Sequence, residues 1–135
     1  MNDFNKQIIE EFRANDGVVG GPFEGATLLL LHTTGAKSGK ERINPLMYMA
    51  DDDRYVIIAS KAGADTHPDW YYNIVANPEV SIEVGTEQIA GVATITDEPE
   101  RTELYEKVEA IAPGFTDYKN KTDRIIPVIT VIPND

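Results

Sequence analysis

The segment His32–Tyr48, with the sequence HTTGAKSGKERINPLMY, places three cations within six residues: Lys37, Lys40 and Arg42. The whole chain has a formal net charge of −11, so this loop is positive against the rest of the protein. Glycine and serine let backbone N–H groups approach a ligand closely, and lysine and arginine neutralise its charge. The pattern predicts a loop that binds an anion, most naturally a phosphate, while a solvated hairpin turn is the simpler alternative.

The loop does not have the spacing of a nucleotide P-loop. That motif needs a longer separation between its first glycine and its Gly-Lys pair, followed by serine or threonine. Here three residues separate Gly35 from Gly39, Glu41 follows Lys40, and Pro45 disfavours a helix after the loop. A Walker-type nucleotide site is therefore excluded.

A second motif, HPDWYYN from residue 67 onward, predicts a short helix over residues 68–76. Asp65 and Thr66 are candidate caps, and Pro68 suits the first turn. The free N–H groups and positive dipole of a helix N-terminus form a site for an anion or a carbonyl. Trp70, the only tryptophan, would be a core residue in most settings.

The residue types give no support to other catalytic chemistries. The chain has no cysteine and two histidines, so disulfides, thiolate nucleophiles and a recognised zinc site are excluded. The three adjacent aspartates at residues 51–53 fit a turn better than a hard-metal site. The serines have no Ser-His-Asp spacing that would support acyl transfer. We therefore expect no metal and no protein nucleophile.

Length and composition predict one globular domain. The chain has 135 residues, of which 41% are hydrophobic and 26% charged, as in ordinary folded proteins. Its 23 acidic against 12 basic residues argue against nucleic acid or an anionic membrane as the main partner. No apolar run approaches the ~18 residues of a membrane span, and the N-terminus does not resemble a signal peptide. A cytoplasmic location is expected, with contact between the N-terminal helix and a membrane surface left open.

The order of the predicted elements indicates an α+β fold. Residues 3–14 form an amphipathic helix through Phe4, Ile8, Ile9 and Phe12, followed by a linker that includes Gly21-Pro22. A second amphipathic helix is predicted over residues 99–112. The predicted strands are Thr27–His32, Ile43–Ala50, Arg54–Ser60, residues 80–84, Gln88–Ile95 and Ile125–Ile132. About six mainly antiparallel strands with two or three helices predict a barrel-like sheet.

Together the motifs resemble the deazaflavin-dependent nitroreductase family, actinobacterial-type proteins that use reduced coenzyme F420. The resemblance rests on TTGAKSGKERINPLMY, ASKAGADTHPDWYYNIVANPEVSIEVG and TDRIIPVITVIP, and it spans roughly residues 15 to 133. It implies a split β-barrel of the flavin-reductase kind over residues 15–135, preceded by the helix of residues 1–14. The resemblance is compatible with a homodimer, since split barrels commonly form dimers.

The resemblance also implies where the cofactor, a deazaflavin with a phosphate and an oligoglutamate tail, would bind. Lys37, Ser38 and Arg42 would hold the phosphate, with Arg42 as a bidentate fork, while Lys40 would face solvent. Pro45 lacks an N–H and suits an edge strand or a bulge beside a ligand. The residues expected to contact the rest of the cofactor are Ile43, Asn44, Pro45, Leu46, Met47, Ile58, Ala59, Ser60, Lys61, Pro68, Trp70, Tyr71 and Asn73.

The implied activity is hydride transfer from reduced coenzyme F420 to a quinone or another conjugated acceptor, with the chemistry supplied by the cofactor. Nitro-reducing relatives tend to line the acceptor pocket with several tyrosines, where this chain has Ala112, Phe115 and Tyr118. Tyr118 is the candidate proton donor, and the missing hydroxyls predict slow or absent reduction of nitro compounds. A deazaflavin carrier without turnover and an FMN-binding split barrel are the alternatives.

Overall fold

The structure, a computed structural model, describes residues 3–20 and 27–134. Its strands in these ranges are β1 (Leu28–Thr34), β2 (Glu41–Met47), β3 (Met49–Asp51), β4 (Arg54–Ile58), β5 (Glu79–Val84), β6 (Glu87–Ile95) and β7 (Val128–Pro133). Its α-helices there are α1 (Asp3–Ala14), α2 (Asp69–Ala76), α3 (Glu100–Ile111) and α4 (Gly114–Asn120). The predicted α+β class is confirmed. The side chain of Phe4 and the linker residues Gly21 and Pro22 lie outside the described residues.

The described strands form one antiparallel sheet in the order β2-β1-β5-β6-β7-β4-β3. The two edge strands, β2 and β3, are neighbours in the chain, since only Tyr48 separates them. The Tyr48 N–H donates to the Thr27 carbonyl at 3.1 Å. Because the chain passes from one edge of the sheet to the other through a single residue, the sheet curls into a split barrel, as the resemblance implied.

This joint at Tyr48 explains why the sequence predicted fewer strands. The predicted strand Ile43–Ala50 is two strands, because its first part pairs with β1 and its last part pairs with β4. The predicted hairpin across residues 51–53 is confirmed as β3–β4. The predicted last strand begins later, at Val128, because Pro127 has no N–H to give to a ladder.

Strand β1 carries apolar side chains on both faces, as its uninterrupted apolar sequence predicted. Leu29 and Leu31 lie in the barrel interior, while Leu28 and Leu30 lie outside and pack against α1. On the opposite side of the barrel, α3 covers the outer faces of β4 and β7. Each buried side chain of this size stabilises the fold by about 1.5–3 kcal/mol relative to exposure. Both helices are therefore held firmly to the barrel.

Candidate functional site

The cationic loop is a compact turn between β1 and β2. The Gly35 N–H donates to the Lys40 carbonyl at 2.8 Å, and the Gly39 N–H donates to the Gly35 carbonyl at 3.0 Å. Gly39 has a φ of 69°, and a Cβ on Gly35 would lie 2.6 Å from the Ser38 Oγ. The positive φ at Gly39 favours glycine there, and the close packing around Gly35 leaves little room for a larger residue. The Ser38 Oγ accepts the Lys40 N–H at 3.2 Å, which leaves the hydroxyl hydrogen available to a ligand.

Lys37, Lys40 and Arg42 extend from this turn into solvent. Across residues 3–20 and 27–134, none of the three has an ion pair or a side-chain hydrogen bond to the protein. By contrast, Arg13 pairs with Glu83 at 2.7 Å and Lys119 pairs with Glu109 at 3.0 Å. In so acidic a chain, three neighbouring cations without acidic partners form a surface suited to an external anion.

Asn73 fastens the loop to α2. Its side chain is buried, its Oδ1 accepts the Ala36 N–H at 3.0 Å, and its Nδ2 donates to the Thr33 Oγ1 at 3.1 Å. Both ends of the amide are therefore engaged by the end of β1 and by the loop. The sequence left open whether Asn73 orients a ring edge or the backbone, and in the structure its amide bonds the loop backbone at Ala36 and the side-chain hydroxyl of Thr33.

A polar network adjoins the loop and connects four elements. Buried His32 of β1 contacts Glu41 of β2 at 3.2 Å through Nδ1 and Glu83 of β5 at 2.5 Å through Nε2. Arg13 of α1 donates to both Glu83 oxygens. The hydrogen bonds from Arg13, and then from His32, hold the pKa of Glu83 below its ordinary value. The network ties α1 to the strands that carry the loop.

Two clefts meet on this side of the barrel. The cationic cleft, about 900 Å³, is lined by Asn5, Gly35, Ala36, Lys37, Ser38, Glu41, Arg42, Ile43, Asn44, Asp69, Tyr72 and Asn73. The apolar cleft, about 450 Å³, is lined by Asn44, Pro45, Leu46, Met47, Ile58, Ser60, Lys61, Ala62, Pro68, Asp69, Trp70, Phe115 and Tyr118. Because Asn44 and Asp69 line both, the two clefts adjoin each other.

One wall of the apolar cleft is built from residues 60–62 and the start of α2. Trp70 is 5% exposed and also belongs to the barrel core, so this wall is anchored in the fold. The predicted caps of α2 were wrong: Pro68 is the N-cap, without a side-chain cap hydrogen bond. Asp65 instead accepts a hydrogen bond from Thr122 at 2.8 Å, and Thr66 accepts one from Lys61 at 3.2 Å.

Most of the predicted site residues lie on the two clefts, and three do not. Ala59 is fully buried inside the barrel. Tyr71 packs against His67, with ring centroids 4.4 Å apart, and Ala112 packs against the cluster under α3. The residues of the clefts that the sequence did not single out are Asn5, Gly35, Ala36, Glu41, Ala62, Asp69 and Tyr72. Asp69 could have been found inside HPDWYYN, whereas nothing in the sequence connects Asn5 of α1 to the loop.

Comparison with known proteins identifies the family. A family model described as F420H(2)-dependent quinone reductase matches residues 5–133. The chain belongs to the F420H(2)-dependent quinone reductase family. An F420H(2)-dependent quinone reductase from Mycobacterium tuberculosis H37Rv is 40% identical over 124 residues, which cover 89% of this chain and 83% of that protein.

Solved structures agree with this membership. A structure of an F420-H2 dependent reductase (FDR-A) matches with a TM-score of 0.72 and 40% identity, over 78% of this chain and 93% of that one. A structure described as a domain-swapped dimer matches with a TM-score of 0.73 and 38% identity, over 93% and 92%. Membership of the quinone reductase family confirms the resemblance that the motifs carried. No helix among the described residues is long and apolar enough to cross a membrane.

Proposed function

We propose that this chain is an oxidoreductase that binds reduced coenzyme F420 along both clefts and transfers its hydride to a quinone. The observation that carries the proposal is that the apolar and cationic clefts lie side by side, with Asn44 and Asp69 in the lining of both. A planar ring with an anionic arm needs an apolar surface and a cationic surface side by side. The relative from Mycobacterium tuberculosis is named for this cofactor and this acceptor class.

In this proposal the cationic cleft holds the phosphate of the cofactor. Among the residues that the structure describes, neither Arg42 nor Lys37 pairs with a carboxylate that a ligand would have to displace, and hydrogen bonds between a cation and an anion contribute about 1.5–3 kcal/mol. The Ser38 hydroxyl adds a donor. Asn73 contributes indirectly, because it holds the backbone of the loop that carries these side chains.

The apolar cleft holds the ring and excludes water from it. Pro45 lies on β2, an edge strand, and without an N–H it presents no unsatisfied donor to an apolar ligand. When bound, the reduced deazaflavin supplies the hydride from its central ring carbon. Phe115 and Tyr118 of α4 line the same cleft, so the acceptor would stack there. In this proposal the Tyr118 hydroxyl gives the proton that a quinone oxygen takes up together with the hydride.

Two measurements test this function. In a steady-state assay with reduced coenzyme F420 and menadione, repeated turnover is expected, whereas oxidation of a single equivalent would indicate a carrier. In direct titrations, coenzyme F420 should bind more tightly than FMN, because its additional anionic groups meet additional cations. Equal or tighter binding of FMN would instead support a flavin-binding barrel.

We also propose that the chain forms a homodimer. The relative at 38% identity is described as a domain-swapped dimer. On the outer face of the sheet, Val92 of β6 lies opposite Ile132 of β7, and both are exposed, at 40% and 47%. A second copy would cover this pair. Light scattering that gives only the monomer mass at micromolar concentration would contradict the proposal.

We propose a cytoplasmic location. The candidate for membrane contact was the apolar face of α1, and its residues Ile8, Ile9 and Phe12 are buried against the barrel. That face is therefore not available to a lipid surface. Partitioning of the purified chain with anionic vesicles would contradict this assignment.

A further inference from the structure

Arg124, in the segment between α4 and β7, donates all five of its N–H groups within the protein. Its Nε donates to the Ala64 carbonyl at 3.1 Å. Its Nη1 donates to the Ala59 carbonyl at 3.1 Å and to the His67 Nδ1 at 2.7 Å. Its Nη2 donates to the carbonyls of Ser60 at 2.8 Å and Ala64 at 3.0 Å. Every acceptor belongs to the single segment of residues 59–67, which we call the clamped segment.

The clamped segment forms part of the apolar cleft and has a conformation that needs support. Ser60, Lys61 and Ala62 line the cleft. Lys61 and Ala62 have φ angles of 49° and 54°, in the left-handed region. Each non-glycine residue held there costs about 1–3 kcal/mol and persists only where its surroundings fix it. The five bonds from Arg124 are the most extensive support of this kind that the described residues supply.

The same segment contacts the helix that carries the other wall of the cleft. A Cβ on Gly63, whose φ is 82°, would lie 2.8 Å from the Tyr118 carbonyl of α4, so only glycine permits this approach. The Thr122 hydroxyl donates to the Asp65 carboxylate at 2.8 Å and accepts the backbone N–H of Arg124 at 3.1 Å. Residues 122–124 therefore connect the clamped segment to the end of α4.

We propose that Arg124 is a positioning residue for cofactor binding, because its guanidinium sets the shape of the clamped segment and its spacing from α4. Arg124 does not line the apolar cleft, so it acts through Ser60, Lys61 and Ala62. The inference rests on the proposed function, since it concerns the same cleft. Lysine cannot replace it, because one nitrogen with three hydrogens cannot reach acceptors that are spread over residues 59, 60, 64 and 67.

The test compares the wild type with Arg124→Ala and Arg124→Lys in a direct titration with coenzyme F420. Both variants should bind about tenfold more weakly or worse, since hydrogen bonds from a charged donor are lost and a tenfold change corresponds to about 1.4 kcal/mol. Added guanidinium ion at millimolar concentration should restore affinity to Arg124→Ala and leave Arg124→Lys unchanged. Sodium chloride at equal ionic strength should restore neither. A role in global stability alone would lower the melting temperature of both variants and leave the affinity of the folded protein for the cofactor unchanged.

Arg101→Ala is the matched control. Arg101 also donates to a backbone carbonyl, that of Ile126 at 3.0 Å, and lies with Arg124 on a separate cavity of about 230 Å³ behind α3. It makes no bond to the clamped segment. This variant should melt at a lower temperature than the wild type but bind the cofactor with unchanged affinity.

The outcomes separate the inference from the proposed function. Two results would overturn the inference alone. The first is an Arg124→Ala protein that binds coenzyme F420 as tightly as the wild type. The second is a folded Arg124→Ala protein whose affinity guanidinium does not restore. A wild-type chain that does not bind coenzyme F420 would instead overturn the proposed function. In that case the fluorescence emission of Trp70, which lines the same cleft, still tests the role of Arg124. A red shift of this emission in Arg124→Lys supports the inference that Arg124 sets the shape of the clamped segment, and an unchanged spectrum overturns it.

Discussion

Replacing Asn73 with alanine should loosen the cationic loop while leaving its cations in place. The Asn73 amide joins Thr33 at the end of β1 to Ala36 in the loop. Each neutral hydrogen bond contributes about 0.5–1.5 kcal/mol net, so losing both should lower the free energy of unfolding by about 1–3 kcal/mol. For a chain of this length, that corresponds to a fall of roughly 3–10 °C in the melting midpoint.

Only the bond to Ala36 acts directly on the loop, so it sets the expected effect on binding. A cofactor would have to restore the order that this bond supplies, at a cost of about 0.5–1.5 kcal/mol. The affinity for coenzyme F420 should therefore fall about 2- to 12-fold in a fluorescence titration. Asn15→Ala is the matched control, because its amide donates to the Glu11 carbonyl at 3.0 Å and lines neither cleft.

A double-mutant cycle with Arg42→Ala separates loop order from direct contact. If Asn73 holds the loop so that Arg42 can grip the phosphate, the two losses of affinity should be less than additive. Full additivity would refute this reasoning. So would an Asn73→Ala protein that is less stable but binds normally, because Asn73 would then support only the core.

Arg42→Ala should weaken binding of coenzyme F420 about tenfold to a hundredfold in direct titration, since charge-assisted hydrogen bonds contribute about 1.5–3 kcal/mol. Trp70 fluorescence should be quenched at saturation, because its side chain lines the apolar cleft. Phe115→Tyr should raise steady-state reduction of bicyclic nitroimidazoles more than that of menadione, since it restores a hydroxyl donor. Burial, and then the charge of Arg124, lower the pKa of His67 from 6.5, so the unfolded chain binds the proton first as pH falls. Stability should therefore decrease as pH falls below about 6.5, which melting curves would record.

Each of these outcomes has a control and a result that would contradict it. Normal binding by Arg42→Ala, with Lys107→Ala as the control for loss of a surface cation, would mean that the loop is only a turn. Unquenched Trp70 at full saturation would place it in the core alone. Fast nitroimidazole turnover by the wild type would contradict the prediction that the lack of tyrosine hydroxyls in the acceptor pocket limits nitro reduction. If the His67→Gln protein loses stability below pH 6.5 as the wild type does, a group other than His67 is responsible for that loss.

The parts of the site that the sequence predicted are those that local chemistry specifies. The loop from Gly35 to Arg42 has its own turn geometry, and HPDWYYN forms its own short helix. Pro45 was expected on an edge strand or in a bulge because it lacks an N–H, and it lies on the edge strand β2. Such features depend on residues close together in the chain, so a pattern of residue types is enough to locate them.

The features that were missed depend on partners far away in the chain. The break at Tyr48 follows from which strands flank it, since β2 pairs with β1 and β3 with β4. Asp65 and Thr66 have the side chains of helix caps, but Thr122 and Lys61 engage them instead. Helix α4 has the polar sequence GFTDYKN and buries no residue fully, so no amphipathic pattern predicted it. The sequence indicated Phe115 and Tyr118 as pocket residues but did not predict helix α4, on which both lie.

The joint at Tyr48 has a consequence for the lifetime of the protein. Strand β2 and the β3–β4 hairpin flank the split in the barrel and are joined directly only through Tyr48, and residues of β2 and β4 line the apolar cleft. A ligand in the cleft would therefore contact both sides of the split, and its binding free energy would add to the free energy needed to open the barrel. Proteolysis of a small domain commonly follows the population of its opened state. The supply of cofactor in the cell would then govern how long each molecule of this protein survives, as well as whether it can react.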